Sequence, residues 1–385
     1  MKKLIFIFLV MIMVLPSSAC GVNSSQTAKE ASEDVKEEVV EEVAVEEAEE
    51  KLEEESGTRI IMDQLGNEVE IPNKIERIAI HRLLPLPSVY AAYKGGNVEG
   101  LISMPPDSLF AAENSILSKY APDILEVPID YYEGGELNME ELLKLKPDVV
   151  FYSGSDKEKA QFDAAGIPSV GFSTVASSSV IETSLEWIKL IEEVLQEDSK
   201  LKDINVYTKK YEDLINERVG NLSDEEKAKV LVIGHYSDTN LTLGVFGDFW
   251  SKSANAIHLG EGATGNVSME QIYEWNPEKI FVSTLTDFFP EDFYKNELVS
   301  GHDWSGIEAV NEEEVYKFPM GMHRWWPPSS DGPLALIWFA KNVYPEQFAD
   351  VVIEDEVRDY YKNIYGMDLT DEEIHGILNP NRETG

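Results

Sequence analysis

The apolar positions of this chain fall into two alternating patterns. Short continuous runs at Arg77–Ile80, Leu101–Ser103, Val149–Phe151, Gly166–Phe172, Lys229–Gly234, Ile280–Val282 and Val315–Phe318 predict buried strands. Between them, apolar residues recur every three to four positions. Ser88–Tyr93, Ile181–Val219 and Ser329–Val343 are therefore expected to be helical. Within the long stretch, Trp187, Leu190, Ile191 and Val194 make one stripe, and Leu201, Ile204, Tyr207, Tyr211 and Ile215 make another. The sequence EDSKL near Glu197 is a natural break between the two. Ile60–Asp63 and Val69–Pro72 flank Gly66 and predict a hairpin. Strands that alternate with helices indicate parallel sheets with helices on their faces.

One unit of this pattern occurs twice. Residues 138–153 read NMEELLKLKPDVVFYS, and residues 268–283 read SMEQIYEWNPEKIFVS. Met, Glu, Pro, Phe and Ser recur at a constant offset. Asn138 with Glu141, and Ser268 with Gln271, fit a helix capping box, and each helix runs to a proline and then an apolar strand. A helix–turn–strand unit repeated far down the chain implies two lobes of similar build. The expected fold is α/β, with two Rossmann-like lobes joined by a single long α-helix. Residues 57–195 form the N-terminal lobe, 196–220 the linking helix and 221–385 the C-terminal lobe. Glu140 and Glu270 occupy the same place in each copy. Either alone is explained as a complement to the helix dipole; one per lobe points to docking.

At its start the chain reads as an export segment. Lys2 and Lys3 precede an apolar run from Leu4 to Leu15, and Ser17-Ser18-Ala19 lead into Cys20, the single cysteine. Residues 1–20 resemble a bacterial lipoprotein signal in which Cys20 is lipidated, although Leu15 lies two places earlier than the usual aliphatic position. A plain secretory signal is the alternative. One cysteine forms no intramolecular disulfide. Residues 21–56 are dense in glutamate and read as an acidic flexible tether. The whole chain carries 32 basic against 72 acidic residues, a formal charge of −40. That excludes nucleic-acid binding, which needs clustered cations, and suits an extracytoplasmic protein.

Candidate chemistry gathers after the strands, where open α/β sheets bind ligands. His81 and Arg82 follow the first strand of lobe one, and Tyr131 and Tyr132 precede a Gly-Gly turn. His235 and Tyr236 follow the first strand of lobe two, with Trp250 further on. The last strand runs into Pro319–Pro328, which holds His323, Arg324, Trp325 and Trp326. Exposed tryptophans beside a cation suggest use, and packing onto the lobe is the alternative. Gly260–Gly265 spells GxGxxG but follows an expected helical stretch, Trp250–His258, in place of the strand of a nucleotide site, so it reads as a flexible turn. No nucleophile elbow, HExxH, phosphate loop or cysteine cluster is present.

Taken in order, the short motifs resemble a substrate-binding lipoprotein of a bacterial ABC importer, in the iron–siderophore, haem and cobalamin group. They are Asp63 and Gly66 with Ile71-Pro72 and Arg77-Ile78, then Asn138-Met139-Glu140 with Lys146-Pro147-Asp148. Ser268-Met269-Glu270 with Asn276-Pro277-Glu278, Trp304 with Ala309-Val310, Val315-Tyr316, and Tyr344-Pro345 with Phe348 complete the series. The resemblance spans roughly residues 58–380 and departs at Ala254–Gly260, where Ala-Gly-Gly is common. It implies a class III binding-protein fold, no enzymatic activity, and no cofactor beyond the cargo. The expected partner is a membrane permease with its cytoplasmic ATPase, served by a lipid-anchored monomer. Glu140 and Glu270 match the glutamates that dock into permease arginine pockets. The implied cargo is an iron(III)–siderophore or similar iron complex, met by Arg82, Arg324, Trp325, Trp326, Tyr131 and Tyr132. Alternatively, His81, His235 and His323 complete a nickel or cobalt chelate, or His323 ligates haem or cobalamin. A surface metal-dependent enzyme and a ligand sensor are the more distant readings.

Overall fold

Asp63 shows how the chain begins its fold. Its Oδ1 accepts the N–H groups of Leu65 and Asn67 at 2.9 and 2.7 Å, which turns the backbone through Gly66 at φ 86°. The turn joins β1 (Thr58–Met62) to β2 (Glu68–Pro72). Oδ2 accepts from Gly171 N at 2.9 Å and ties this hairpin to the end of the first sheet. The computed structural model describes residues 57–133, 136–175, 177–237, 240–263, 265–283 and 288–380. The expected signal segment with Cys20, the tether, and the positions Gly134, Gly135, Thr264, Thr284 and Thr286 lie outside the described residues.

The first sheet has the order β4-β3-β7-β8 and is parallel throughout. Its strands are β3 (Ile78–His81), β4 (Leu101–Ser103), β7 (Val149–Tyr152) and β8 (Ser169–Gly171). A small hairpin, β5 (Tyr132–Glu133) and β6 (Glu136–Leu137), precedes the first repeat. Helices α1 (Leu86–Tyr93), α2 (Pro106–Glu113), α3 (Met139–Leu145) and α4 (Asp156–Ala165) connect these strands. The second sheet runs β10-β9-β12-β13, with β11 also on β9. It comprises β9 (Lys229–Tyr236), β10 (Leu241–Leu243), β11 (Ile257–His258), β12 (Lys279–Val282) and β13 (Val315–Lys317). Only β10 is antiparallel. Residues of β3, β7 and β12 are buried on both faces, as parallel strands covered by helices must be.

Each repeat copy places its strand beside the first strand of its sheet, β7 beside β3 and β12 beside β9. In both, the helix is capped by a side chain: Asn138 accepts from Glu140 N and Glu141 N at 3.1 and 3.2 Å, and Ser268 from Gln271 N at 3.3 Å. The second copy's helix is α8; α5 (Val180–Leu195), α6 (Asn205–Val219) and α7 (Gly247–Ser253) come before it, and α8 itself spans Met269–Trp275. Both helices end on a left-handed residue, Lys146 at φ 49° and Asn276 at φ 41°. The acid after each proline then fastens the neighbouring strand. Asp148 Oδ2 accepts Glu76 N and Arg77 N at 2.8 and 2.9 Å, and Glu278 Oε2 accepts Lys229 N at 3.3 Å.

The chain passes from the first sheet to the second through α5 and α6. Residues 196–220 are helical only over Asn205–Val219, because Gln196 turns left-handed at φ 51°. Glu192 then holds Ser199 N at 2.9 Å, and Tyr93 O takes Lys200 N at 2.8 Å. Helix α9 (Pro290–Lys295) flanks the second sheet. It is followed by α10 (Gly332–Val343), α11 (Ile353–Tyr360), a π-helical turn at Tyr361–Tyr365, and α12 (Asp371–Leu378). Helix α10 packs on α6, and one hydrophobic cluster runs from Ile61 to Ile377 through both lobes. Lys119 of the first lobe meets Glu373 of α12 at 2.5 Å. The expected helix over Trp250–His258 stops at Ser253, because Asn255 adopts φ 53° and the chain then enters β11.

Candidate functional site

At the carboxyl end of β3 the polar groups are paired within their own lobe. His81 is fully buried and stacks on Tyr132. Its Nε2 lies 3.0 Å from Glu158 Oε1, and its Nδ1 lies 3.0 Å from the Tyr132 hydroxyl. Burial lowers the His81 pKa against the pull of Glu158, so the ring is neutral near pH 7. The matching tautomer donates from Nε2 and accepts at Nδ1. With both nitrogens engaged, His81 has no lone pair for a metal, contrary to the expectation that it could be a ligand.

Arg82 follows at φ 58°, held there by its N–H on the Tyr132 hydroxyl at 3.0 Å. Its Nε donates to Glu158 Oε1, and an Nη reaches Glu136 at 3.4 Å. For Glu158, burial acts to raise the pKa, but His81, Ser155 N and Arg82 outweigh it and hold the carboxyl at about 2. The Arg82 side chain is 40 % exposed, so part of its fork faces solvent. Glu158 escaped the sequence reading as a site residue. Its local signal is the capping box with Ser155, but its partners His81 and Arg82 are brought in by the sheet.

In the second lobe the loop after β13 is buried almost throughout. Trp325 has no exposed surface and donates Nε1 to Asp331 Oδ2 at 3.1 Å. Trp326 packs edge-on against Phe246 and Phe318, at 5.1 and 6.0 Å. Trp250 is fully buried and donates to Trp326 O at 3.0 Å. Tyr131 is buried with its hydroxyl on Ile80 O, and Tyr236 is buried between Trp304 Nε1 and His302 Nδ1, each 2.9 Å away. These five aromatic residues were expected to meet a ligand. In the structure their faces are spent on the core. Tyr132 is partly exposed, and His235 stands exposed on β9 opposite Thr242.

His323 and Arg324 differ from the aromatic residues around them. His323 is 3 % exposed, and its ring makes no hydrogen bond among the described residues. Burial first, and then the Arg324 charge, hold its pKa well below the usual range, so it is a neutral imidazole. Arg324 is 6 % exposed, and its Nε and Nη1 are buried with no hydrogen-bond partner among the described residues. Burial lowers its pKa, opposed by the field of Asp107 in α2 of the first lobe. A guanidinium remains charged even so. Two orphan donors on a buried cation cost about 1–3 kcal/mol each. Among the described residues, no group of three or more His, Cys, Asp or Glu side chains is arranged to hold a metal.

Glu140 and Glu270 are exposed at the first turns of α3 and α8. Glu140 lies 3.3 Å from Lys144. The Glu270 pKa is lowered by its own backbone N–H, by Ser268 and by the field of His302.

Two α/β lobes with matching, mainly parallel sheets, helically connected, are the architecture of a two-lobed solute-binding protein. A family model described as periplasmic binding protein matches residues 105–320, more than half of the chain. The chain belongs to that family and is the solute-binding component of an ABC importer. It is 27 % identical over 339 residues to the molybdate-binding protein MolA of Haemophilus influenzae, across 80 % of this chain and 91 % of that one. It is 24 % identical over 338 residues to the iron-uptake system-binding protein of Bacillus subtilis, across 82 % and 90 %. A periplasmic solute binding protein from Veillonella parvula superposes with a TM-score of 0.69 at 28 % identity, over 85 % of this chain and 98 % of that one. Such proteins bind a solute outside the cytoplasm for a membrane permease and do not turn it over.

Proposed function

We propose that the solute is a compact metal-bearing anion, of which molybdate is the first to test, and that Arg324 holds it. The observation that carries this reading is the pair of buried, unpartnered donors on Arg324. An anion accepting both would form charge-assisted bonds and remove the cost of burying them alone. Burial of Trp250, Trp325, Trp326 and Tyr131 takes away the aromatic surface on which a large chelate would lie, which favours a small solute. A relative named for molybdate binding points the same way. An iron(III)–siderophore is the second reading. It is favoured by the half-exposed Arg82 after β3 and by the relative named for iron uptake. In either case Glu140 and Glu270 dock the loaded protein on its permease, and Cys20 carries the lipid anchor.

The test is calorimetric titration of the solute-free protein with molybdate, ferric citrate, a ferric tricatecholate and nickel–histidine. Native mass spectrometry of the protein as purified accompanies it. Tight binding of molybdate, lost in Arg324→Met, is expected. Binding of a ferric tricatecholate alone transfers the assignment to the siderophore reading. Selective binding of the nickel complex, unchanged in Arg324→Met, would overturn both.

A further inference from the structure

Asp331 precedes α10 and has no exposed surface. Its carboxylate receives four donors. Oδ2 accepts Met322 N at 2.7 Å, Trp325 Nε1 at 3.1 Å and the Tyr361 hydroxyl at 2.9 Å, and Oδ1 accepts the Tyr365 hydroxyl at 2.8 Å. Met322 and Trp325 stand immediately before and after His323-Arg324. A single oxygen thus clamps both ends of the segment that carries the two unpartnered side chains.

The close approach depends on Gly321. A Cβ there would lie 2.1 Å from Asp331 Oδ2 and 2.5 Å from both Trp325 Nε1 and the Tyr361 hydroxyl. The turn is closed further by Gly321 N on His323 O at 2.9 Å, by Trp325 N on Pro319 O at 3.1 Å, and by the bridge between Met320 and Arg324. Behind the carboxylate, the two phenols come from the π-helical turn, a geometry often found at functional sites. Tyr365 also bonds Ser330 Oγ at 2.8 Å, and Tyr360 donates to Ser330 O.

A buried carboxylate is an expensive way to fill a core. Its donors here are all neutral, and an apolar or amide side chain would fill similar space with less desolvation. What the carboxylate adds is four converging bonds that fix one loop in one conformation. We propose that Asp331, with Tyr361 and Tyr365, is a positioning residue that aims Arg324 at the solute. This rests on the reading of Arg324 as the group that holds the anion. Asp331 does not touch the solute; it acts through the loop it clamps.

A double-mutant cycle tests this. Solute-free wild type, Asp331→Asn, Arg324→Met and the double variant are titrated calorimetrically with whichever of molybdate and ferric citrate wild type binds more tightly. Each titration is run well below the melting temperature of that variant. Arg324→Met is expected to weaken binding at least 100-fold, and Asp331→Asn at least 10-fold. In the Arg324→Met background, Asp331→Asn should cost less than 2-fold, because the group it positions is gone. A merely structural role lowers the melting temperature and leaves the two effects independent. Tyr365→Phe removes one bond to Oδ1 and keeps the ring, so it serves where Asp331→Asn does not fold; about a 3-fold loss is expected, and it too should vanish without Arg324. Wild-type affinity in Asp331→Asn, or in Tyr365→Phe where that variant stands in, overturns the positioning role alone, as do independent effects. Wild-type affinity in Arg324→Met, or binding of neither probe by wild type, overturns the positioning role together with the reading beneath it.

Discussion

Replacing Arg324 with methionine should raise stability and destroy affinity at once. In the solute-free protein, Nε and Nη1 are buried without partners. Each such donor costs about 1–3 kcal/mol, so removing both relieves about 2–6 kcal/mol. Methionine keeps an unbranched apolar stem of similar reach but gives up the attraction to Asp107, and it fills the space of a planar head imperfectly. A net gain of about 1–3 kcal/mol is therefore expected, in the same direction as the replacement of buried ionic groups by well-packed apolar ones. For a chain of this size that is a rise in melting temperature of about 1–4 °C. Binding moves the other way. Two charge-assisted bonds to an anion are worth about 3–6 kcal/mol together, which is about 10²–10⁴-fold in affinity. The assay is scanning calorimetry after bound solute has been removed by partial unfolding and dialysis, with titration calorimetry on the same samples. A lower melting temperature combined with unchanged affinity would refute the reasoning, because it would show that Arg324 is a structural residue whose donors are satisfied in solution.

Further outcomes follow from the same contacts. Glu158 has a folded pKa of about 2, below its unfolded value of about 4.3, so its contribution is complete above that value and is lost as pH falls toward 2. Glu158→Gln should flatten this limb in a denaturant series across pH, and an unchanged limb would count against the network. Burial of neutral His81 adds a loss of the same sign that begins near pH 6.5 as pH falls. Trp326→Ala should cost about 3–5 kcal/mol in urea unfolding. Gly244→Ala should also destabilise, since a Cβ there would lie 1.8 Å from the Trp326 ring. Glu140→Ala with Glu270→Ala should abolish uptake by cells while leaving solute affinity in calorimetry within 2-fold; wild-type uptake would remove the docking role.

The two lobes were legible because parallel strands demand continuous apolar runs, and because each repeat carries its cap, its proline and its acid within sixteen residues of sequence. The break near Glu197 was legible for the same local reason. What escaped was decided by distant contacts. Strands β10 and β11 are two or three residues long, and β9 pulls them into register. Trp325 and Trp326 sit between prolines like the tip of a loop, and nothing local reveals that Phe246 and Gly244 receive Trp326 while Gly321 and Asp331 receive Trp325. Asp331 looked like part of a helix start, since Tyr361 and Tyr365 reach it from thirty residues away. Arg324 was recognised by residue type, but its lack of partners is a tertiary fact.

A chain with a formal charge of −40 repels an anion at long range. The resolution lies in distance. At physiological ionic strength, fields from solvated carboxylates decay over about 8 Å, so most of the acidic surface contributes little at a buried point. What matters there is whether the local cation already has a counter-charge. Arg82 does, from Glu158 and Glu136 on its own lobe. Among the described residues, Arg324 feels the field of Asp107 from the other lobe and has no hydrogen-bonded acid. Under the proposed reading, an anion favours Arg324 over Arg82, although Arg82 is the more accessible. Because the Asp107 field arises across the lobes, any change in their separation alters the affinity of Arg324 for its solute. A permease that pulls on Glu140 and Glu270, one on each lobe, would thereby act on the charge that holds the cargo.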